Sequence, residues 1–233
     1  MARRVRQPLS AATPVLRRWT DHRDPTSWSA RGRQRRFAEF LAWIGPMPRP
    51  VRILDVGGDE NYWRSVGRTA AHGLSLTIVN LTSGVATLPD TTLHVGDARR
   101  MPEFSDQSFD VVFSNSVIEH LGGSAEQQRM AEEVRRIGRR YWVQTPNKWF
   151  PIEPHFLFPG FAQLPRAARI AIASRWRAGW YSAPGDPALA AARVDEIRLL
   201  TRGEFSALFP GAEIRTERMF GLAKSFVACS PAR

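Results

Sequence analysis

Cysteine occurs once in the 233 residues, at Cys229, so the chain can form no internal disulfide and no cysteine-rich metal site. Its place near the C-terminal end also argues against methylation of cytosine C5, which needs a cysteine nucleophile in mid-domain. Long apolar runs are missing as well: nothing approaches the roughly 20 apolar residues that span a bilayer. The arginines at positions 3, 4 and 6 lead into Gln7 and Pro8 rather than an apolar stretch, so no secretory signal is expected. Lysine is almost absent, with Lys148 and Lys224 the only two among 33 basic residues. No internal repeat is found, and a cytoplasmic location is the expectation.

What is present suits one sizeable globular core: 43% hydrophobic and 24% charged residues over a length short for two domains. The net charge of +11 is unevenly placed. The first 50 residues hold eleven arginines against Asp21, Asp24 and Glu39, a local balance of +8, which leaves about +3 for the rest. Basicity is therefore concentrated towards the N-terminus, where residues 1–28, broken by Pro8, Pro14 and Pro25, read as a basic arm. Such an arm can meet nucleic acid or an anionic membrane surface. It can equally be a solvated extension, which is the expectation here.

Beyond the arm, residues 29–233 read as one α/β domain. Ser29–Ile44 has a helical period, with Phe37, Phe40, Leu41 and Ile44 on one face and Arg31, Arg35 and Arg36 turned to the other. Strands are predicted at Val51–Val56, Leu74–Asn80, Thr92–Val95, Phe109–Ser114 and Arg140–Gln144, with a helix at Ala125–Ile137. A helix near Arg202–Phe205 and strands near Ala212–Arg218 and Lys224–Cys229 close the chain, the last two joined by a short Met-Phe-Gly-Leu turn. This order predicts a Rossmann-like seven-stranded, mostly parallel sheet with helices on both faces and an antiparallel C-terminal hairpin.

The chemistry-bearing feature is the first strand-to-helix turn, Asp55-Val56-Gly57-Gly58-Asp59-Glu60. Ligands of open α/β sheets bind at the carboxyl ends of the strands, and glycine there lets backbone approach closely. A dinucleotide fingerprint would carry Gly-x-Gly-x-x-Gly and a helix start without acids, to receive a diphosphate. Asp59 and Glu60 stand in that place instead, and their negative charge suits a sulfonium and an ammonium.

Four ordered segments carry a resemblance: Val51–Gly58, Val95-Gly96-Asp97-Ala98, Phe104–Val112 and Ser116–Leu121. Together they resemble the class I S-adenosylmethionine-dependent methyltransferases of the type 11 kind, over about Val51 to Asn147. The resemblance implies S-adenosylmethionine as cofactor and assigns positions. Asp55 and Gly57 would line its amino-acid end, with Gly58 allowing close backbone approach. Asp97 and the Ala98 amide would hold the adenine, and a carboxylate suits an exocyclic amine. Asn115 and Ser116 would lie beneath the sulfonium. Asn80 stands where the family carries an acid for the ribose hydroxyls, and the third glycine of the first motif is missing.

For the acceptor, an oxygen nucleophile needs a base. The first candidate is His155, just beyond the fifth strand; the second is Glu119-His120. The latter resembles the Glu-x-x-Glu-His segment of quinone O-methyltransferases, but Ser116 replaces the first Glu, so no metal site is expected. The stretch from about 149 to 181 mixes apolar residues (Phe158, Phe161, Leu164, Trp176, Trp180) with Arg166, Arg169, Arg175 and Arg177. It reads as a lid over an amphiphilic or anionic acceptor, or a surface for peripheral membrane contact. The expected activity is methyl transfer to a small molecule (sugar, lipid or secondary metabolite), O-directed. An RNA or protein methyltransferase docking through the arm, and a non-catalytic cofactor-binding partner, are the alternatives. Nucleic acid is not favoured, because the fourth strand exits into Ser114-Asn115-Ser116-Val117 rather than an Asn/Asp-Pro-Pro-aromatic motif.

Overall fold

The structure, a computed structural model, describes residues 27–153, 155–175 and 186–231. Helix α1 runs Trp28–Ile44, its first turn capped by the Ser27 hydroxyl, which accepts from the Ala30 amide at 3.0 Å. Then follow β1 Val51–Val56, α2 Glu60–Ser65, β2 Leu74–Asn80, β3 Thr91–Val95 and β4 Phe109–Asn115. A 3₁₀ turn at Ile118–Leu121 leads to α3 Ser124–Ile137 and β5 Gly138–Pro146. The remaining elements are α4 Arg166–Arg175, α5 Pro187–Glu196, α6 Arg202–Leu208, β6 Glu213–Met219 and β7 Leu222–Cys229. Most of the arm, together with Pro154, Trp176, Arg177, Trp180 and Tyr181, lies outside the described residues.

The seven strands form one sheet in the order β3-β2-β1-β4-β5-β7-β6, with only β7 antiparallel to its neighbours. Successive side chains of a strand point to opposite faces, and here both faces are covered. From β1, Val51 and Ile53 join Phe40, Ile44 and Trp63 of α1 and α2, while Leu54 and Val56 join Met130, Val134 and Phe205 of α3 and α6. The same alternation sends Val111 and Phe113 of β4 to the first face and Val112 to the second. That double burial explains why the central strands read as continuous apolar runs rather than alternating ones. Between β6 and β7 the turn passes through Phe220 and Gly221, both at positive φ, the backbone that a tight hairpin demands.

Two features depart from the sequence expectation. Arg36, assigned to the outer face of α1, is buried and forms a bidentate pair with Glu217 of β6, at 2.6 and 2.8 Å. Its third contact is to Asn115 at the end of β4. A helical period sorts residues by angle, and it cannot foresee that a strand 181 positions later supplies a carboxylate. Second, α4 and α5 pack on each other around a small separate core of Phe156, Phe161, Ala173, Ala190 and Val194. Among the described residues no helix is long and apolar enough to cross a membrane.

Candidate functional site

The strand order reverses between β1 and β4, and that switch point opens a crevice at their carboxyl ends. The glycine turn lies on it. Gly57 has φ +75°, where a side chain is strained, and a Cβ there would collide with Val117 just past β4. At Gly58 a Cβ would run into the Asp55 carboxylate, so only glycine lets the backbone lie directly over that acid. Asp55 is buried; Trp63 Nε1 donates to its Oδ2 at 2.7 Å, while Oδ1 is buried with no partner. Burial pushes the Asp55 carboxyl up to about 7, against the Trp63 hydrogen bond.

The neighbouring acids act differently from the sequence expectation. Asp59 caps α2, accepting from the Tyr62 amide at 2.9 Å. Glu60 accepts from the Thr87 and Leu88 amides at 2.8 and 2.7 Å, pinning the loop between β2 and β3. Both carboxylates are engaged in holding local backbone, and the buried carboxylate beneath the turn is that of Asp55. Asn80 likewise faces its own chain: its amide donates to the Gly58 carbonyl at 2.9 Å, and its oxygen accepts from the Leu81 amide at 2.7 Å. A hollow of about 210 Å³ stands beside it, lined by Gly58, Ile78, Asn80, Leu93 and His94.

Asp97 lies past β3, where Arg99 grips its carboxylate through Nε at 2.9 Å and holds it below the usual carboxylate range. Ala98 packs at the edge of the core. Ser116 sits at φ +56° with its hydroxyl 2.8 Å from Gln144 Oε1, and Asn115 receives the Arg36 guanidinium. A cofactor with an ammonium group and a nucleoside fits this crevice: an unpartnered buried carboxylate oxygen, a backbone with no room for a side chain, and an adjoining, largely polar hollow to which Ile78 and Leu93 add apolar surface. Asp55, Gly57 and Gly58 are the residues that would hold its amino-acid end.

The three acceptor-side candidates converge. His120 Nε2 and His155 Nε2 lie 3.0 Å apart with their rings edge to face, and His155 Nδ1 lies 2.5 Å from Glu153 Oε1. Glu153 Oε2 also accepts from the amides of His155 and Phe156, at 3.0 and 2.6 Å. Burial opposes an imidazolium at His155, but the adjacent Glu153 carboxylate outweighs it and raises its pKa. Burial and the facing His155 push His120 down to about 4, although its side chain is the more exposed of the two at 32% against 16%. Behind them Glu119 is fully buried and pushed up to about 7 by that burial; Thr145 donates to its Oε2 at 3.1 Å, and Oε1 has no partner.

Sequence reasoning named His155, Glu119 and His120 but assigned no role to Glu153 or Thr145. The signal for Glu153 was its place two residues before His155. Thr145 was legible only as a strand end. No metal was expected, yet one ligand-type atom from each of Glu119, His120 and His155 falls within 4.8 Å of the others.

Comparison with known proteins bears on the family and on the fold. Residues 61–140 match the family described as a methyltransferase domain. Two relatives from Mycobacterium tuberculosis, the uncharacterized proteins Rv1509 (strain H37Rv) and MT1557 (strain CDC 1551), are 31% identical over 129 residues, or 51% of this chain. The chain spans only 43% of the length of these curated relatives. Among solved structures, a S-adenosylmethionine-dependent methyltransferase of Methanosarcina mazei superposes with a TM-score of 0.52 at 16% identity, covering 79% of this chain and 93% of its own. The CurJ carbon methyltransferase gives 0.54 at 12% identity, over 86% and 54%. Phosphoethanolamine N-methyltransferase 2 of Haemonchus contortus, solved with S-adenosylmethionine, gives 0.51 at 18%, over 79% and 38%. At such identities these structures bear on the fold alone, while the family match bears on the segment from α2 into β5. Over residues 61–140 this chain is similar to the methyltransferase domain family, and its sheet has the fold seen in S-adenosylmethionine-dependent methyltransferases.

Proposed function

We propose that the protein transfers the methyl group of S-adenosylmethionine to an oxygen of a small or amphiphilic acceptor. The observation that carries this reading is the Glu153–His155–His120 chain beside the glycine turn, which Val117 joins to the 3₁₀ turn bearing His120. The cofactor, when bound, supplies a methyl group activated by its sulfonium. The protein's part is alignment and removal of one proton, since in-line displacement gains most from positioning.

Asp55 receives the cofactor's ammonium, Asp97 and Ala98 its adenine, and Asn80 the ribose edge. Glu153 accepts a hydrogen bond from His155 Nδ1–H, which leaves His155 Nε2 to accept from His120 Nε2–H. His120 Nδ1, 3.9 Å from the Glu196 carboxylate, is then the base. It takes the acceptor's hydroxyl proton and passes its Nε2 proton to His155. The pKa order supports that direction, with His155 raised by Glu153 and His120 near 4. The charge formed is an imidazolium held against a carboxylate.

Methyl transfer from isotope-labelled S-adenosylmethionine across cell-extract fractions identifies the acceptor. With that acceptor, His120→Ala and His155→Ala each lower turnover by about 10²–10⁴ while S-adenosylhomocysteine affinity stays unchanged. Wild-type turnover in both variants refutes the relay. A second reading rests on the 4.8 Å cluster, because two imidazoles and a carboxylate can hold a divalent cation. Turnover that survives dialysis against EDTA favours the relay; loss restored by zinc favours the metal. The same proposal keeps the acceptor other than nucleic acid, and the protein cytoplasmic with no more than peripheral membrane contact.

A further inference from the structure

Beneath α4 and α5 lies a cavity of about 470 Å³, outside the glycine turn and next to the histidine pair. Glu153 is part of its wall, and so is Gly122, two residues beyond His120. Its apolar lining comes from Phe156, Phe161, Leu164, Val194 and Leu199. Four cations also reach it, and they are not equivalent. Arg166 is paired with Asp195 at 2.7 Å, and Arg198 with Glu204 at 2.5 Å. Arg169 makes no side-chain hydrogen bond or ion pair among the described residues, and its Nε is buried without a partner. Lys148 has no carboxylate partner there either; its ammonium lies 5.6 Å from the Trp149 ring. The third acid of the wall, Glu153, is already committed to His155 and two backbone amides.

Two cations without a directly bonded carboxylate, in a partly apolar cavity, favour a ligand that brings both an anion and an apolar body. A planar guanidinium with a free edge matches an oxyanion in particular. A neutral lipid would leave the Arg169 Nε unsatisfied, at the cost of a buried donor. We propose that this cavity binds the oxyanion head group, carboxylate or phosphate, of an amphiphilic acceptor through Arg169 and Lys148. The proposal rests on the methyl-transfer reading for the word acceptor; the binding site itself does not.

Calorimetry on the full chain with octanoate, octyl phosphate, 1-octanol and inorganic phosphate tests it, alongside S-adenosylhomocysteine. Octanoate or octyl phosphate is expected to bind at least tenfold tighter than octanol and than inorganic phosphate; the tighter of the two identifies the head group. Arg169→Gln and Lys148→Gln should each weaken the anionic amphiphile at least fivefold, with octanol and S-adenosylhomocysteine affinities unchanged. Arg169→Lys should recover part of the loss, which separates lost charge from lost folding. Octanol binding as tightly as octanoate and octyl phosphate overturns the proposal, and so does an Arg169→Gln variant with wild-type affinity for both anions. If the anionic probe binds in an Arg169-dependent way while S-adenosylhomocysteine does not bind, the methyl-transfer reading fails and the oxyanion site stands alone.

Discussion

If the buried Asp55 carboxylate receives the cofactor's ammonium, cofactor affinity must follow Asp55 ionisation. In the free protein that group sits near 7 because burial disfavours its charge. An ammonium beside the partnerless Oδ1 favours the charged form, so binding draws the proton off. With the bound-state pKa at least three units lower, observed affinity falls by about twofold at pH 7, about tenfold at pH 6 and about 100-fold at pH 5, relative to high pH. The last figure corresponds to about 2.7 kcal/mol. Calorimetric titration of S-adenosylhomocysteine in two buffers of different ionisation enthalpy should show close to one proton released per ligand at pH 6, and little at pH 8.5. Asp55→Asn should abolish both the slope and the proton release. Affinity that is flat from pH 5 to 8 without proton release would show that Asp55 does not meet the ammonium. The same shift has a sign for stability. A carboxyl raised from 3.8 to about 7 favours the fold fully below about pH 4 and loses that contribution as pH rises to about 7. The ligand-free protein should therefore melt at lower temperature at pH 7.5 than at pH 5 as far as Asp55 decides it, and saturating ligand should narrow the difference.

Gly58→Ala places a Cβ against the Asp55 carboxylate; overpacking of this kind costs about 1–3 kcal/mol, read as a Tm drop of about 2–4 °C per kcal/mol, together with weakened S-adenosylhomocysteine binding. Arg36→Met strands the Glu217 carboxylate and should cost about 3 kcal/mol in urea unfolding. The double variant Arg36→Met with Glu217→Leu should recover most of it, whereas an unchanged midpoint in the single variant removes this pair from the stabilising set. Asp97→Ala should weaken S-adenosylhomocysteine more than tenfold; an unchanged affinity means that Arg99 keeps that carboxylate from the adenine.

Periodicity and turn residues are local signals, and they carried the secondary structure far. β1 and β2 begin and end at the residues that the sequence marks, and α1, β3, β4 and α3 differ by a residue at an end. The apolar runs of β1 and β4 also imply burial on both faces, which a parallel sheet between helices supplies. The ordered motifs from Val51 to Leu121 pointed to the cofactor for the same reason: the glycines and their flanking acid lie within a few residues of one another. What the sequence could not rank was the use of each charge. Asp59 and Glu60 are as acidic on paper as Asp55, and only packing leaves Asp55 buried beneath Gly58 while the other two cap backbone amides.

The acceptor side was decided by tertiary structure almost alone. His120 and His155 stand 35 residues apart, and Arg36 and Glu217 are 181 apart. No local pattern pairs them, because each contact depends on which loop leaves which strand end. Composition and spacing determined that this chain makes an α/β sheet with a glycine turn after its first strand, a basic arm and an aromatic, arginine-rich stretch after β5. The fold decided that Glu153, His155 and His120 share one chain of contacts, and that Arg169 has no side-chain hydrogen bond or ion pair among the described residues in a cavity next to them. Charge and hydrogen-bond capacity are written in the sequence, but whether a group spends them on its own backbone or on a ligand is settled by what surrounds it in space.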